Sequence, residues 1–413
     1  MKKRRLLQIN PVLRSNTSTG RIMQEIGVLA MQHGWESYVA YSAGRDGIMT
    51  CQSQIVPVGN KLSVALHGLE TRLLDRHGLG SRRATRQFIQ QIKAIDPDII
   101  HIHNIHGYFL NYKILFDYLS TCGKPVIWTV HDCWLYTGHC YYYSAAGCFK
   151  WKEGCGNCPQ RKEFPKSLFF DRSRQNFLDK EKAFNSMPTD KFIIAPVSEW
   201  IGSELRQSML KRYDIRVIHN GIDTEAFKPL PSDDVRKKYG LGNKHIILGL
   251  ASIWMKEKGL DDFIGLASML RDDEVLVMVG KMTPEQQARI PQGVVTIART
   301  ENVHQLAELY SAATAFVNPT WQDNYPTVNL ESISCGTPVI TYRTGGSIEA
   351  VTEGVTGYVV EQGDVAAIMQ RVREIEQRGK DAYTAPCRDF ALAHFRKEDR
   401  YRDYLLLYDQ LTR

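Results

Sequence analysis

Short apolar segments of strand length alternate with helix-like segments from one end of the chain to the other. The predicted strands are residues 5–9, 36–41, 99–103, 126–130 and 192–197 in the first half, and 215–218, 246–251, 275–279, 294–297, 315–317 and 339–341 in the second. This alternation is typical of mostly parallel sheets with helices on both faces. We therefore predict an α/β chain with one doubly wound domain in each half.

Length and composition agree with two domains. The 413 residues, of which 43% are hydrophobic, are enough for two cores of about 150–200 residues each. Residues 217–231 combine turn residues with two prolines, as expected where a chain crosses between domains. We place the first domain at residues 1–212 and the second at 213–388.

The sequence carries no sign of a membrane span or a signal peptide. No run approaches the roughly 18 apolar residues that a span needs, and the apolar stretch after Arg5 is interrupted by Gln8, Asn10 and Pro11. We expect a cytoplasmic protein, with peripheral association with the inner face of a membrane as an open alternative.

The net charge of +7 fits an anionic partner, such as a phosphorylated substrate or a membrane surface, or simply solubility. No zinc-finger, RNP or helix-turn-helix pattern is found, so no nucleic-acid partner is expected. Residues 64–88 interleave leucines with arginines, which is typical of a basic amphipathic patch on a bilayer or of an ordinary surface helix. The ordinary helix is slightly favoured.

Residues 315–349 hold a strand, a short acidic loop and a helix with a second carboxylate. The strand at 315–317 is followed by turn residues, and residues 327–334 have helix composition before the break at 336–338. Asp323 is thus expected in the loop and Glu331 on the helix. The first backbone N–H groups of that helix suit the diphosphate of a nucleotide sugar.

This stretch resembles the E-x7-E signature of retaining glycosyltransferases, and glycosyltransferase family 4 most closely. The sequence DNYP at 323–326, Glu331, CGTPVI at 335–340 and Gly345-Gly346 carry the resemblance, with Asp323 where the family usually has Glu. Two acids at this spacing are often no more than a solvated helix face, but the surrounding motifs argue against that interpretation.

The resemblance extends over nearly the whole chain, through PDIIHIHN at 97–104, TVHD at 129–132, PVSEW at 196–200 and VIHNGID at 217–223. It implies a GT-B fold, in which two Rossmann-like domains, the first binding the acceptor and the second the nucleotide sugar, face a cleft. It also implies that a final helix, at 389–413, crosses back to the first domain.

On the donor side, the resemblance implies that Lys258 approaches the diphosphate, that Asp323 lies near the transferred sugar and that Glu331 accepts hydrogen bonds from the ribose. The remaining implied donor-binding residues are Ser252, Arg299, Asn324, Tyr325, Pro326 and Thr327. Family members usually carry an arginine where this chain has Ser252, which cannot replace that charge. Lys258 alone could also be a solvated lysine.

In the first domain, Ser18-Thr19-Gly20 resembles the glycine-rich turn that lets the backbone approach the donor phosphate, so Gly20 is included among the donor-binding residues. His131 ends a predicted strand and matches the family histidine that faces the transferred sugar. A His-Asp pair at the carboxyl end of a strand can line a ligand site, and it can equally be structural.

An insert at residues 133–164 is polar and rich in glycine and cysteine. Cys140, Cys148, Cys155 and Cys158 end in a C-x-x-C pair, which in a reducing compartment favours a structural zinc ion over disulfides. Unligated thiols, or His139 as one ligand, are the alternatives.

The insert is also rich in aromatic residues, of which Trp134 and Tyr136 are candidates to stack on an acceptor sugar. Packing around the metal is the competing interpretation.

Together these features predict a retaining hexosyltransferase that needs no cofactor for catalysis. It would transfer a sugar from a nucleotide-diphosphate donor to a saccharide or lipid-linked saccharide in polysaccharide or glycan synthesis. His131, Lys258 and Asp323 are the predicted catalytic residues. A nucleotide-sugar epimerase and a non-catalytic sugar-binding protein remain as alternatives, whereas a nicotinamide dehydrogenase is disfavoured because no G-x-G-x-x-G follows the first strand.

Overall fold

The computed structural model describes residues 3–14, 17–45 and 51–412. Its strands are β1 (Arg5–Ile9), β2 (Glu36–Ser42), β3 (Gln54–Val58), β4 (Ile99–Ile102), β5 (Val126–Val130), β6 (Phe192–Pro196), β7 (Asp214–Ile215), β8 (His245–Ile253), β9 (Glu274–Lys281), β10 (Val295–Ile297), β11 (Ala315–Asn318), β12 (Val339–Tyr342) and β13 (Gly357–Val360).

The helices are α1 (Ser18–Gln32), α2 (Lys61–Leu74), α3 (Arg82–Ile95), α4 (Tyr112–Leu119), α5 (Ser173–Phe184), α6 (Glu199–Leu205), α7 (Asp233–Lys238), α8 (Leu260–Ala267), α9 (Pro284–Gln287), α10 (Val303–Ala312), α11 (Thr327–Ser334), α12 (Val365–Arg378), α13 (Asp381–His394) and α14 (Lys397–Leu411). Short 3-10 helices form at Cys133–Leu135, Lys150–Lys152, Lys256–Lys258 and Gly345–Ala350.

The strands form two parallel sheets, which confirms the predicted doubly wound α/β class. The first has seven strands in the order β3-β2-β1-β4-β5-β6-β7, and the second has six in the order β10-β9-β8-β11-β12-β13. The chain divides into two compact units, one of Met1–His219 with Arg400–Arg413 and the other of Asn220–Asp399.

Three strands differ from the sequence prediction. The strand expected at 215–218 in the second half is instead β7, and Ile215 pairs with Ile194 at the edge of the first sheet. The strands β3 and β13 were not predicted. The edge strand β3 exposes Gln54, Ile55 and Pro57, so its sequence lacks the apolar run of a buried strand, and β13 has only four residues.

One face of the first sheet is covered by α14. Tyr401, Tyr404 and Tyr408 of this helix share a core cluster with residues of β1 and β4. The hydroxyl of Tyr408 lies 2.6 Å from Nδ1 of His101, and Thr129 donates to the Tyr404 hydroxyl at 2.9 Å. The end of the described chain therefore belongs structurally to the first unit.

The helices are short. Those of greatest length in the described ranges, α1 and α14, have 15 residues each, whereas a span needs about 20. Within the described ranges, none combines the length and apolar character required to cross a bilayer.

Candidate functional site

Two loops of the second unit lie side by side because β8 and β11 are neighbours in its parallel sheet. The 3-10 helix Lys256–Lys258 follows β8, and residues 319–326 follow β11. The backbone carbonyl of Glu257 accepts from the Trp321 N–H at 2.9 Å and from the Thr320 hydroxyl at 3.1 Å. The carboxyl ends of neighbouring parallel strands are a common position for ligand sites.

These loops bring Lys258 and Asp323 into direct contact. Nζ of Lys258 lies 2.6 Å from Oδ2 of Asp323, and the side chains are 37% and 17% exposed. Oδ1 of Asp323 accepts from the Asn324 N–H at 2.9 Å. The site thus presents an ammonium and an oriented carboxylate, both within reach of solvent.

The residue after Lys258 must be glycine. Gly259 has φ +77°, and a Cβ at this position would lie 2.5 Å from the Pro319 carbonyl oxygen. A side chain would push the lysine-bearing turn away from the loop after β11. Close backbone approach therefore determines the Lys258–Asp323 distance.

A buried aspartate that the sequence did not reveal supports the same loop. Oδ2 of Asp262, on α8, accepts from Trp321 Nε1 at 2.8 Å, and its Oδ1 accepts from the Tyr342 hydroxyl at 2.7 Å. Burial and the Tyr342–Asp262 hydrogen bond raise the pKa of the Tyr342 phenol. The two contacts of Asp262 could not be predicted from the sequence, because neither Trp321 nor Tyr342 lies at a characteristic spacing from it.

Glu331 lies in the middle of α11, as predicted, and is only 5% exposed. Its Oε2 accepts from the Tyr310 hydroxyl at 3.3 Å. A carboxylate buried in this way has a fixed orientation, which suits recognition of a diol.

The start of α11 is joined to the 3-10 helix Gly345–Ala350 by a buried amide. Oδ1 of Asn329 accepts from the Asn318 amide at 2.8 Å, and its Nδ2 donates to the Ser347 carbonyl at 3.1 Å. The N-cap of α11 is Pro326, with no side-chain cap, and Thr327 is partly exposed. An N-terminus of this kind is suited to an anion.

The other predicted donor-binding residues are spread around this loop. Tyr325 is 7% exposed, whereas Ser252 near the end of β8 and Arg299 before α10 are exposed. Asn302, with Gln305 three residues later, has the sequence pattern of a helix cap, and it does cap α10 by accepting from the Gln305 N–H at 2.8 Å. The contacts of Ser252 and Arg299 with a donor stay predictions.

In the first unit, His131 follows β5 and contacts His103, which follows β4. Nε2 of His131 lies 3.2 Å from Nδ1 of His103, and Nε2 of His103 lies 3.0 Å from Oε1 of Gln8. The Gln8 amide is oriented by its own donation to the Met23 carbonyl at 2.9 Å. From this network we assign the proton of each imidazole to Nε2, so that His131 donates to His103.

Burial lowers the pKa of both imidazoles. For His131 the pKa falls to about 4, chiefly by desolvation. For His103 desolvation and the neighbouring imidazoles hold the pKa well below its usual range. Both rings are therefore neutral near pH 7, and His131 can act there as a hydrogen-bonding group but not as a cation.

Two further features of the first unit concern Asp132, which follows His131 in sequence, and Gly20. Asp132 lies 2.8 Å from Nε2 of His106; burial opposes ionisation of Asp132, but the contact with His106 leaves its pKa below the usual value. Gly20 lies in the first turn of α1 rather than in a separate turn, and a Cβ there would lie 2.4 Å from the Arg14 carbonyl oxygen.

The predicted acceptor contacts of Trp134 and Tyr136 require correction. Their exposed fractions are 1% and 0%, and both side chains belong to the core of the first unit. Nζ of Lys180 lies 3.5 Å from the centroid of the Trp134 ring and donates to the Trp134 carbonyl at 2.6 Å. Neither ring offers a face to a sugar.

The predicted structural zinc is not supported. Cys140, Cys148, Cys155 and Cys158 line one small cavity as free thiols, but within the described residues no group of three or more His, Cys, Asp or Glu is placed to hold a metal ion. Burial raises the pKa of Cys140 and of Cys158 to about 12, so these thiols are protonated.

Buried contacts with distant residues order the insert instead. Nδ1 of His139 lies 2.8 Å from Oδ1 of Asp75, which is fully buried at the end of α2. Oδ2 of Asp75 accepts from the Arg172 N–H at 2.7 Å. Together with the packed aromatic rings, this network fixes the insert without a metal ligand set.

Known proteins resemble both halves of the chain. A family model described as Glycosyltransferase Family 4 matches residues 29–226, and one described as Glycosyl transferases group 1 matches residues 244–378. The chain is 24% identical over 401 residues to WcaC of Escherichia coli (strain K12), a glycosyl transferase assigned to colanic acid biosynthesis; the match covers 92% of this chain and 96% of WcaC.

Solved structures share the fold at low sequence identity. Sucrose-phosphate synthase from Thermosynechococcus elongatus matches with a TM-score of 0.72 and 16% identity, over 99% of each chain. HepE from Anabaena, in complex with UDP, matches with a TM-score of 0.69 and 15% identity, over 99% of this chain and 100% of HepE. The chain thus shares its fold with these solved structures.

Proposed function

Because this chain is a glycosyltransferase of family 4 with the GT-B fold, we propose that it transfers a hexose from a nucleotide-diphosphate sugar to a saccharide or lipid-linked saccharide, with retention of anomeric configuration. The Lys258–Asp323 contact beside the N-terminus of α11 carries the proposal. The binding of UDP by HepE supports a nucleotide-sugar donor, and the assignment of WcaC supports a role in polysaccharide synthesis.

The donor diphosphate binds where a fixed cation meets the first N–H groups of α11. Lys258 exchanges its contact with Asp323 for a phosphate oxygen, and the backbone N–H of the partly exposed residue Thr327 donates to another. Both groups stabilise the negative charge that grows on the diphosphate as the glycosidic bond breaks. Asp323, released from the lysine, accepts hydrogen bonds from hydroxyls of the transferred sugar.

The nucleoside is held by Glu331. Its carboxylate is buried and oriented by the Tyr310 hydroxyl, so it can accept from two ribose hydroxyls without reorganisation. Arg299, exposed before α10, lies in the segment that we assign to base contact.

Attack by the acceptor occurs on the face from which the diphosphate departs. The acceptor oxygen forms the new bond to the anomeric carbon and gives its proton to a phosphate oxygen of the leaving diphosphate. His131 offers its unprotonated Nδ1 as a hydrogen-bond acceptor to a sugar hydroxyl, because its Nε2–H donates to His103 and its lowered pKa keeps the ring uncharged at neutral pH. The carboxylates need not act as nucleophiles in this scheme.

Two measurements test the proposal. A thermal-shift screen of nucleotide sugars should find a donor that stabilises the protein, since a ligand that binds only the folded state raises the melting temperature. NMR of the product formed with that donor should then show the donor's anomeric configuration. An inverted product would refute retention, and donor binding with neither transfer nor hydrolysis would refute the catalytic assignment of Lys258 and Asp323.

A further inference from the structure

The helix α2 has its apolar face turned to solvent. Leu62, Leu66 and Leu69 are 66%, 56% and 52% exposed, and their spacing of four and three residues places them on one face. The buried residues of α2 are polar, namely His67 and Thr71. A surface helix of a globular domain normally has the opposite orientation.

Polar contacts on the buried side hold α2 in this orientation. Nε2 of His67 accepts from the backbone N–H groups of Gly78 and Gly80 at 3.1 and 3.2 Å. Asp75, which ends the helix, accepts from the Arg172 N–H at 2.7 Å. Rotating the leucines inward would break these buried hydrogen bonds, so their exposure is built into the fold.

A loop beside α2 extends the apolar surface. Leu168, Phe169 and Phe170 are 45%, 67% and 55% exposed. The Leu168 N–H donates to the Arg72 carbonyl of α2 at 2.8 Å, and Arg161 donates to the Phe169 carbonyl at 2.8 Å. We call Leu62, Leu66, Leu69, Leu168, Phe169 and Phe170 the apolar patch.

The charges beside the apolar patch are mostly positive. The exposed cations on α2 and in residues 161–171 are Lys61, Arg72, Lys162 and Lys166, and the acids in the same two segments are Glu70, Glu163 and Asp171. Glu70 is already engaged by Arg76, with 3.2 Å between Oε1 and Nε. The apolar side chains are therefore accompanied by a net positive charge.

We propose that the apolar patch docks on an anionic lipid bilayer. An amphipathic helix with leucines on one face and basic residues at its border lies in the plane of a membrane interface, and phenylalanines on a neighbouring loop insert beside it. The cations complement acidic headgroups. A second copy of this chain fits less well, because an apolar patch packed on itself would bring the same cations together.

The patch is connected to the predicted acceptor side of the first unit. Phe164, 54% exposed next to the loop, packs edge-to-face against Tyr141 with 5.1 Å between ring centroids. Tyr141 contacts the His106 ring at 4.4 Å, and His106 pairs with Asp132. Docking would bring the membrane surface near the strand end that carries His131, although membrane binding does not depend on the proposed transfer reaction.

Vesicle sedimentation with the full chain tests the inference. We expect the protein to sediment with vesicles of phosphatidylglycerol and phosphatidylcholine at least ~10-fold more strongly than with phosphatidylcholine alone, and less as salt is raised. The double variant Leu66→Glu/Phe169→Glu should lose this binding. Leu406→Glu, which changes a leucine that is 61% exposed on α14, is the matched control and should bind normally.

Other outcomes would overturn the inference. They are failure of the unmodified protein to sediment with anionic vesicles, equal binding by the double variant, or a dimer in lipid-free light scattering that Leu66→Glu/Phe169→Glu dissociates. Thermal unfolding of each variant verifies that it is folded, since all three side chains are exposed and their substitution should leave stability nearly unchanged. Transfer to a soluble acceptor, measured in parallel, separates this result from the fate of the proposed function.

Discussion

The stretch 315–349 of the second unit and the insert 133–164 of the first both look like sites in the sequence, but only the stretch has the local structure that its sequence predicts. In the stretch, β11, α11 and β12 lie where they were predicted. In the insert, the zinc is not supported and the two candidate acceptor aromatics are buried.

The difference lies in where each segment finds its partners. Along the stretch, the order of strand, loop and helix itself places Asp323 and Glu331, so local patterns are sufficient. The insert is ordered by Asp75 and Lys180, which lie 64 residues from His139 and 46 residues from Trp134. The composition of the insert therefore reflects packing against residues that are distant in sequence, rather than a ligand site.

The largest expected difference between the two units is the loss of stability of the first unit at acid pH. Desolvation lowers the pKa of His67 to about 4, of His101 to about 3 and of His131 to about 4, against about 6.5 when unfolded. The contribution of these neutral histidines to the free energy of unfolding is fully present above pH 6.5. It falls as the pH drops toward 4, because the unfolded chain takes up protons first. Three such groups amount to several kcal/mol.

Hydrogen exchange, corrected for the intrinsic rate at each pH, should show peptides of β4 and β5 losing protection before those of β11 and β12. Replacing buried His101 with Gln should weaken the dependence of this protection on pH. His304→Gln, at a side chain that is 69% exposed, should leave it unchanged. Equal loss in both units would contradict the prediction.

Substitution of Asp75 sharpens the contrast in stability. Asp75→Ala leaves His139 and the Arg172 N–H without their buried acceptor, and should lower the free energy of unfolding by about 3–5 kcal/mol. Chemical denaturation measures this loss. Asp75→Asn keeps an amide oxygen and tolerates the left-handed backbone at this position, so it should cost clearly less.

Lys258→Ala should reduce activity strongly and stability only slightly. Removing the cation at the diphosphate should lower kcat by about 10²–10³-fold, while the free energy of unfolding changes by less than about 1 kcal/mol because the ion pair is partly exposed. Steady-state kinetics and denaturation measure the two quantities. Lys244→Ala, at an exposed lysine before β8, is the control and should retain activity; a large stability loss in Lys258→Ala would argue for a structural role.

The smallest expected effect is that of Glu331→Gln. The amide keeps the shape but weakens a charged hydrogen bond to the ribose, so KM for the donor should rise about 10–100-fold with less change in kcat. Glu361→Gln, at a side chain 72% exposed, should leave KM unaltered. A fall in kcat at constant KM would place Glu331 in the chemical step instead.

The sequence could predict what lies within one segment or at the end of one strand. The two sheets, Asp323 in its loop, Glu331 on its helix and the Asn302 cap follow from apolar period, turn residues and helix-start chemistry. The Asp262–Trp321 contact and the Gln8–His103–His131 series could not be predicted, because they join residues 28 to 95 positions apart. The sheet that β7 joins could not be predicted either, because its two residues carry no signal that assigns them to the first sheet.

The packing of α14 also determines when the first unit can finish folding. Tyr401, Tyr404 and Tyr408 complete a core that begins with Leu6, so this core must wait for nearly 400 intervening residues to be synthesised. The second unit, which is continuous in sequence, can fold as soon as it leaves the ribosome. The half of the molecule made first is therefore the half completed last, and its unfinished sheet is exposed to misfolding for longest.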